Sequence, residues 1–473
     1  MPFTRTLAVS LAVAVLPTVT APVHAQSLAI TGATIIDGTG RAPLRDGVVV
    51  VTDGRIAAVG TARDVRVPAG ANTLDGRGKY VIPGLMDANV HLVLNIDLET
   101  LVKHEGRYDE IALEGAQIAL RNGLTTVFDT WGPRDALIKA RDAIEAGRAP
   151  GSRLYLAGNI IGFDGPLGAD FRATAAPFVS KAFASRINET WEQGTGRKLL
   201  WMPPDTLRAA VRRYAQTGVD FLKYGSSGHV DMNLIGFSER AQKVIVEEGH
   251  RAGKTVQAHV TSPESIDMAI DAGVDILTHG DISGPTYPIP SETIRKIRER
   301  GIAVSTLPVT QRHTDAMEKH NAQATLLPYF KVARINLRNM MQAGVPILVS
   351  TDAGIEHPVL ITESRTVAAD TVDPRVKLGE GHFNALVALE ELGMDKMEVL
   401  KSTTSHIARA YKHPELGTLE VGKVGDLVIL DADPLQSARN YRRINAVIKA
   451  GRVVDRGALP VSPVITSRPK PVP

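Results

Sequence analysis

The sequence predicts an α/β protein: a (β/α)8 TIM barrel with a small composite β-sandwich domain built from both chain ends. Three observations carry that expectation. Through the middle of the chain, apolar strand-like runs alternate eight times with helix-length amphipathic segments, the rhythm of a parallel sheet. Both ends are instead short, β-rich and punctuated by turns. With 473 residues, 44% of them hydrophobic and 22% charged, the chain can bury a large core.

Taken in order, residues 1–25 read as a secretory signal. Arg5 supplies the positive end, Leu7 to Leu16 the apolar run, and Val23-His24-Ala25 the small-residue site for cleavage before Gln26. The run is short of the roughly 20 residues that a membrane-spanning helix needs. The expected mature protein is periplasmic or secreted, with no membrane association after cleavage. Residues 26–81 form the first part of the β-sandwich domain. Its strands are Leu28-Ala29-Ile30, Gly47–Val51 and Ile56–Val59, and Asp53-Gly54 is a strong hairpin turn. The barrel occupies 82–416. Its strands are expected near 85–91, 124–129, 153–157, 219–224, 255–259, 275–279, 302–306 and 346–351. Helices are expected near 109–122, 134–146, 205–217, 237–252, 264–272, 291–300, 322–342 and 383–392. Two long loops, about 158–203 and 307–321, are expected to shape a pocket. Residues 417–461 return to the sandwich domain, with strands at 426–430 and 446–454 around a turn at 431–434. The Pro- and Lys/Arg-rich stretch 462–473 reads as a loose tail.

Composition narrows the chemistry. Lys and Arg total 54 against 51 acids, and a net charge of +3 on this length gives no reason to expect a nucleic-acid partner. There is no cysteine, which removes disulfides, thiolate metal sites and cysteine nucleophiles. Metal chemistry must therefore run on His, Asp, Glu and Lys, with 13 His available.

Polar residues close several of the expected strands, and catalytic groups of such barrels sit at the C-terminal strand ends. Strand one runs into Asp87-Ala88-Asn89-Val90-His91 and strand four contains Lys223-Tyr224. Strand five ends at His259, strand six at His279 and strand eight at Asp352. His91, Lys223, His259, His279 and Asp352 thus converge on one rim as a metal-site constellation. Imidazole and carboxylate suit zinc or a similar divalent ion, with an open position for water.

These motifs resemble the amidohydrolase superfamily. The resemblance lies in Val81-Ile82-Pro83-Gly84-Leu85-Met86-Asp87 leading to His91, in Lys223, His259 and His279, and in Ser350-Thr351-Asp352-Ala353. Gly417–Val428 is similar to the return into that family's composite β-domain. The likeness spans the mature chain and is nearest the imidazolonepropionase-like and prolidase branch, which includes bacterial ochratoxin-degrading amidohydrolases. It implies one or two Zn2+ or similar ions, with CO2 held as a carbamate on Lys223 bridging them. His259 and His279 would hold one ion, and His91 and Asp352 the other. Asp352 would move the proton from the attacking water to the leaving nitrogen. At Asn89 the family has His, so three roles are open to it: neutral ligand, hydrogen-bond partner of a ligand, or mark of a loosely held first metal.

Tyr224 and His229 follow Lys223 and are candidates to contact the scissile carbonyl or a substrate carboxylate. Arg312 and His313 are candidates for an anionic group, and His382 for the pocket. His104, His320 and His413 read as solvated or structural. The expected activity is hydrolysis of an amide bond to an amino-acid carboxylate, in an N-acyl amino acid or dipeptide. Ochratoxin A, an aryl amide of phenylalanine, is among the candidates. The alternatives are cyclic amide opening and a catalytically dead binding protein, and the resemblance also implies a homo-oligomer.

Overall fold

A computed structural model describes residues 27–94, 98–171, 176–320, 326–355 and 373–467. The signal-like segment and the last six residues lie outside them. The strands, in chain order, begin with β1 (Ser27–Ile35), β2 (Leu44–Thr52), β3 (Arg55–Thr61), β4 (Asn72–Asp75) and β5 (Tyr80–Pro83). The middle of the chain supplies β6 (Leu85–Val90), β7 (Leu124–Asp129), β8 (Arg153–Leu156), β9 (Ile160–Ile161) and β10 (Leu222–Gly225). It continues with β11 (Val256–His259), β12 (Ile276–Thr278), β13 (Ala303–Thr306) and β14 (Ile347–Val349). The last strands are β15 (Leu427–Leu430), β16 (Ile444–Lys449) and β17 (Arg452–Val453).

One sheet takes strands from both ends of the described chain, in the order β17-β16-β15-β5-β1-β2-β3, with β4 beside β1. The seam is β5, parallel to β1 at Thr34–Tyr80 and antiparallel to β15 at Ile82–Val428. Its apolar face packs Leu28, Ile30, Val49, Val51, Ile429 and Ile448 into one cluster. Asp53 and Gly54 both take positive φ (49° and 78°), as a two-residue hairpin turn requires.

The middle strands are all parallel. β6, β7 and β8 pair in one run, and β9 through β14 in another. β8 and β9 are successive pieces of one chain segment, and a parallel bridge between Val90 and Ala353 links the end of β14 to β6. The pairings therefore trace a ring that is open only between β8 and β9. The strands read as near-continuous apolar runs because both of their faces are covered. Helices 108–121, 134–145, 204–215, 239–251, 263–272, 291–299, 327–343 and 381–391 begin and end within a few residues of expectation, save that the expected start at 322–325 lies outside the described residues. None of the described helices is long and apolar enough to cross a membrane.

Four segments differ from expectation. The stretch 158–203 holds β9 and a helix at Lys181–Glu192, whose N-cap Ser180 accepts from Phe183 N. The stretch 307–321 is largely helical, Gln311–His320. The strand expected at 446–454 is a hairpin, turned at Ala450-Gly451 with φ of 47° and 75°. Residues 461–466 are docked and not loose. The buried Glu114 carboxylate accepts from Val464 N, Ile465 N and Thr466 N at 2.8, 2.7 and 3.0 Å, and Ile465 is fully buried.

Candidate active site

The strand ends of the ring gather the residues that the sequence marks out. In β10 alternate side chains face opposite ways. Lys223 points inward, buried, and its Nζ donates to Thr130 Oγ1 at 2.9 Å. His259 closes β11. His279 and Asp352 follow β12 and β14 in the left-handed backbone region, with φ of 61° and 57°. Such conformations cost on the order of 1 kcal/mol each and gather at functional sites. Asp352 N donates to Asn89 O, and His91 N to Ala353 O, which ties strand one to strand eight.

Asp352 is the centre of the cluster. Its Oδ1 lies 2.9 Å from His91 Nε2, accepts from Asn89 Nδ2 at 2.9 Å, and is 3.7 Å from His279 Nε2. The rings of His259 and His279 lie 4.9 Å apart, nearly perpendicular. Burial alone would raise the Asp352 carboxyl, but His279, His91 and Lys223 outweigh it and hold it well below the usual carboxylate range. Burial pushes His91 and His259 down and His279 to about 3, so the imidazoles are neutral near pH 7. Burial also lowers Lys223 to about 8.

These protonation states suit a divalent cation, which takes neutral imidazole and ionised carboxylate. His91 Nδ1, His259 Nε2 and His279 Nδ1 are buried without a hydrogen-bond partner. An unpartnered buried polar atom costs about 1–3 kcal/mol, and a missing ion is one explanation for it. Among the described residues, no three His, Asp or Glu side chains stand close enough to enclose an ion as placed. The fit is therefore one of donor chemistry.

Asp352 opens onto a cavity of about 310 Å3 walled by Trp131, Phe171, Trp191, Leu94 and His229. Trp131 and Phe171 stack at 3.8 Å, and Trp131 Nε1 donates to Asn159 Oδ1 at 3.1 Å, which fixes the wall. Pro166, Phe171 and Trp191 come from the stretch 158–203, as expected of a pocket-shaping loop, whereas none of the described lining comes from 307–321. No Lys or Arg stands among the described lining residues.

Of the other expected substrate contacts, only His229 reaches the cavity. Its Nδ1 lies 2.9 Å from the Asp170 carbonyl oxygen, so that nitrogen carries the proton and Nε2 is left as an acceptor. Tyr224, beside Lys223, faces away, and its hydroxyl donates to Gln242 Oε1 at 2.9 Å within the core. Arg312 is exposed on its helix. His313 is buried against the Asp373 carbonyl at 3.2 Å. His382 is buried against Phe383 and the Asn122 carbonyl. Thr130, Trp131 and Phe171 belong to the site and were missed. Asp129 and Thr130 close strand two, so the strand-end rule finds them once it is applied there.

The strand ends of the α/β ring thus carry ligand-type side chains beside a largely apolar cavity. The chain belongs to the amidohydrolase family, whose model matches residues 80–454. It is a hydrolytic enzyme acting on carbon–nitrogen bonds, of a family that is generally metal-dependent. The solved structure of molinate hydrolase is 36% identical with a TM-score of 0.89, covering 94% of this chain and 98% of that one. Phenylurea hydrolase B is 35% identical with a TM-score of 0.89, covering 94% and 100%. Ochratoxinase of Aspergillus niger is 26% identical over 430 residues, 87% of this chain and 83% of the relative. Imidazolonepropionases and prolidases are also among the similar proteins, the branch that the motifs indicate.

Proposed function

We propose that this enzyme hydrolyses the C–N bond of a small, uncharged aryl amide or aryl urea with the help of bound divalent metal. The observation that carries this reading is the cavity beside Asp352, lined by Trp131, Phe171 and Trp191 and without a cationic side chain among its described lining. A planar ring suits the Trp131–Phe171 wall. Among the described lining residues a substrate carboxylate has no cationic side chain to pair with, and burying it unpaired is costly. The similarity to phenylurea hydrolase B points the same way.

The ring of parallel pairings supports a (β/α)8 barrel over 82–416, and the two-ended sheet supports a composite domain of 26–81 and 417–461. His259 and His279, and His91 with Asp352, would hold divalent metal such as zinc, and Lys223 would be the carbamate site. When bound, the metal polarises the carbonyl and acidifies water. Asp352, ionised and facing the cavity, accepts a proton as the water oxygen bonds to the carbonyl carbon. It returns that proton to the nitrogen as the C–N bond breaks. His229, with its acceptor nitrogen, suits a substrate N–H. The segment 1–25 supports export, and exposed Phe178 and Trp201 support self-association.

A second reading, an amide of an amino-acid carboxylate such as ochratoxin A, rests on the similarity to ochratoxinase. Mature protein loaded with zinc and bicarbonate decides between them on a panel of anilides, phenylureas, N-acyl amino acids and dipeptides. Aryl substrates are expected to exceed N-acyl amino acids by about tenfold or more in kcat/KM. The reverse preference favours the second reading. No release from any substrate with metal bound sinks both.

A further inference from the structure

Thr130 stands at a junction that neither the motifs nor the similarities single out. Its side chain is fully buried just beyond β7. The backbone on either side is pinned: Thr130 N donates to Val90 O at 3.0 Å, and the Asp129 carboxylate accepts from Leu92 N at 2.7 Å and Trp131 N at 3.1 Å. The hydroxyl is thus held at a fixed point between strands one, two and four. Lys223 Nζ donates to Thr130 Oγ1 at 2.9 Å, and Thr130 Oγ1 donates in turn to Asn89 Oδ1. Asn89 Nδ2 then donates to Asp352 Oδ1 at 2.9 Å, the same oxygen that His91 Nε2 approaches.

A hydroxyl has a single proton. With that proton given to Asn89, Oγ1 faces Lys223 as an acceptor only. A lysine amine and a lysine carbamate both keep an N–H to give it, so one fixed acceptor sets how either is turned about Cε–Nζ. The Asn89 amide is turned as well. With its oxygen engaged by Thr130, it faces Asp352 with its NH2, which can donate but cannot ligate a cation.

We propose that Thr130 is a positioning residue of this site. Its hydroxyl orients Lys223 by accepting and Asn89 by donating, which makes Asn89 a hydrogen-bond donor to Asp352 and not a metal ligand. The inference rests on the metal-dependent reading above, but its main readouts need no substrate. A wild-type protein that binds zinc and turns over nothing sinks the hydrolase reading and leaves this one standing.

The test uses full-length mature protein loaded with Zn2+ and 13C-bicarbonate. Thr130→Val keeps the side-chain shape and removes both bonds. It is expected to lose the carbamate 13C resonance and to bind zinc about tenfold or more weakly in chelator competition. Thr130→Ser is expected to keep the resonance and stay within about threefold in affinity, because its hydroxyl makes the same two bonds. Asn89→Ala is expected to leave the zinc-to-protein ratio unchanged. The proposal is overturned if Thr130→Val matches wild type, if Thr130→Ser falls as far as Thr130→Val, or if Asn89→Ala loses a zinc. A wild-type protein without a carbamate resonance also overturns it. Should the valine variant not fold, Thr130→Ala takes its place. Alanine losing what serine keeps then supports the proposal, and equal behaviour overturns it.

Discussion

Lys449, at the end of β16, and Lys223, in β10, face the same electrostatic cost, and the chain treats them differently. Burial pushes both down to about 8. Lys449 is matched: its Nζ lies 2.7 Å from Asp426 Oδ2, whose carboxylate also accepts from Ala450 N and sits 3.5 Å from Arg153 of β8. The Arg153 contact joins the two-ended sheet to the parallel ring. Lys223 has no carboxylate within hydrogen-bond reach among the described residues. Its neighbours Asp352 and Asp129 act on it from a distance, and its hydrogen bond goes to a neutral hydroxyl. The structural lysine is neutralised by the protein itself, whereas Lys223 is left for something else to neutralise, as the proposed carbamate and metal would do.

Substitution at the unmatched site is expected to have the largest effect. Lys223→Met and Asp352→Asn should each lower kcat/KM by about 10²–10⁴-fold while thermal melting stays near wild type. A Lys223→Met protein with unchanged metal content and rate would erase the contrast. Lys449→Met should do the opposite. It leaves Asp426 buried with the Ala450 amide and the longer Arg153 contact but no close cation, at a cost of about 3 kcal/mol in urea unfolding, with the rate of the folded enzyme intact.

Glu248 extends the matched case. It is buried and receives hydrogen bonds from Arg208, Arg212 and Arg251. Burial alone would raise its carboxyl, but these guanidinium groups outweigh it and hold it at about 2 against an ordinary 4.5. A depressed carboxylate stabilises the fold fully above its unfolded value and loses that contribution as pH falls through the folded one. Glu248→Gln should therefore cost about 1–2 kcal/mol at pH 7, allowing for the solvent-exposed arginines. The gap to wild type should narrow between pH 4.5 and 2 in acid unfolding. The smallest effect is expected at Tyr224→Phe. Loss of its bond to Gln242 should cost about 1 kcal/mol and leave kcat within about twofold, since the ring faces the core. A large drop in rate would return Tyr224 to the cavity.

The strand-end chemistry was legible in sequence because a parallel strand is an apolar run, and a polar residue closing it stands out. His91, Lys223, His259, His279 and Asp352 all carry that mark, and the structure brings their side chains to one rim. Neighbours in sequence are less safe. Tyr224 follows Lys223 directly, but successive strand residues face opposite ways, which sends it to the core. Arg312 rides the outside of a helix in a stretch read as a loop. His382 lies in the first turn of a helix packed beside Asn122, two residues before β7. Docking of 461–466 on Glu114 spans about 350 residues of chain and leaves no local trace.

The sequence by itself determined the alternation of strands and helices, the β-rich ends and the set of ligand-type side chains. Each of these depends on the period or composition of a short stretch. Tertiary structure alone decided that Thr130 meets both Lys223 and Asn89, that Glu114 binds the distant tail, and that the cavity beside Asp352 is aromatic and without a described cation. Those outcomes depend on which faces meet across the ring, and a hydrogen bond between residues 93 positions apart has no periodicity to announce it.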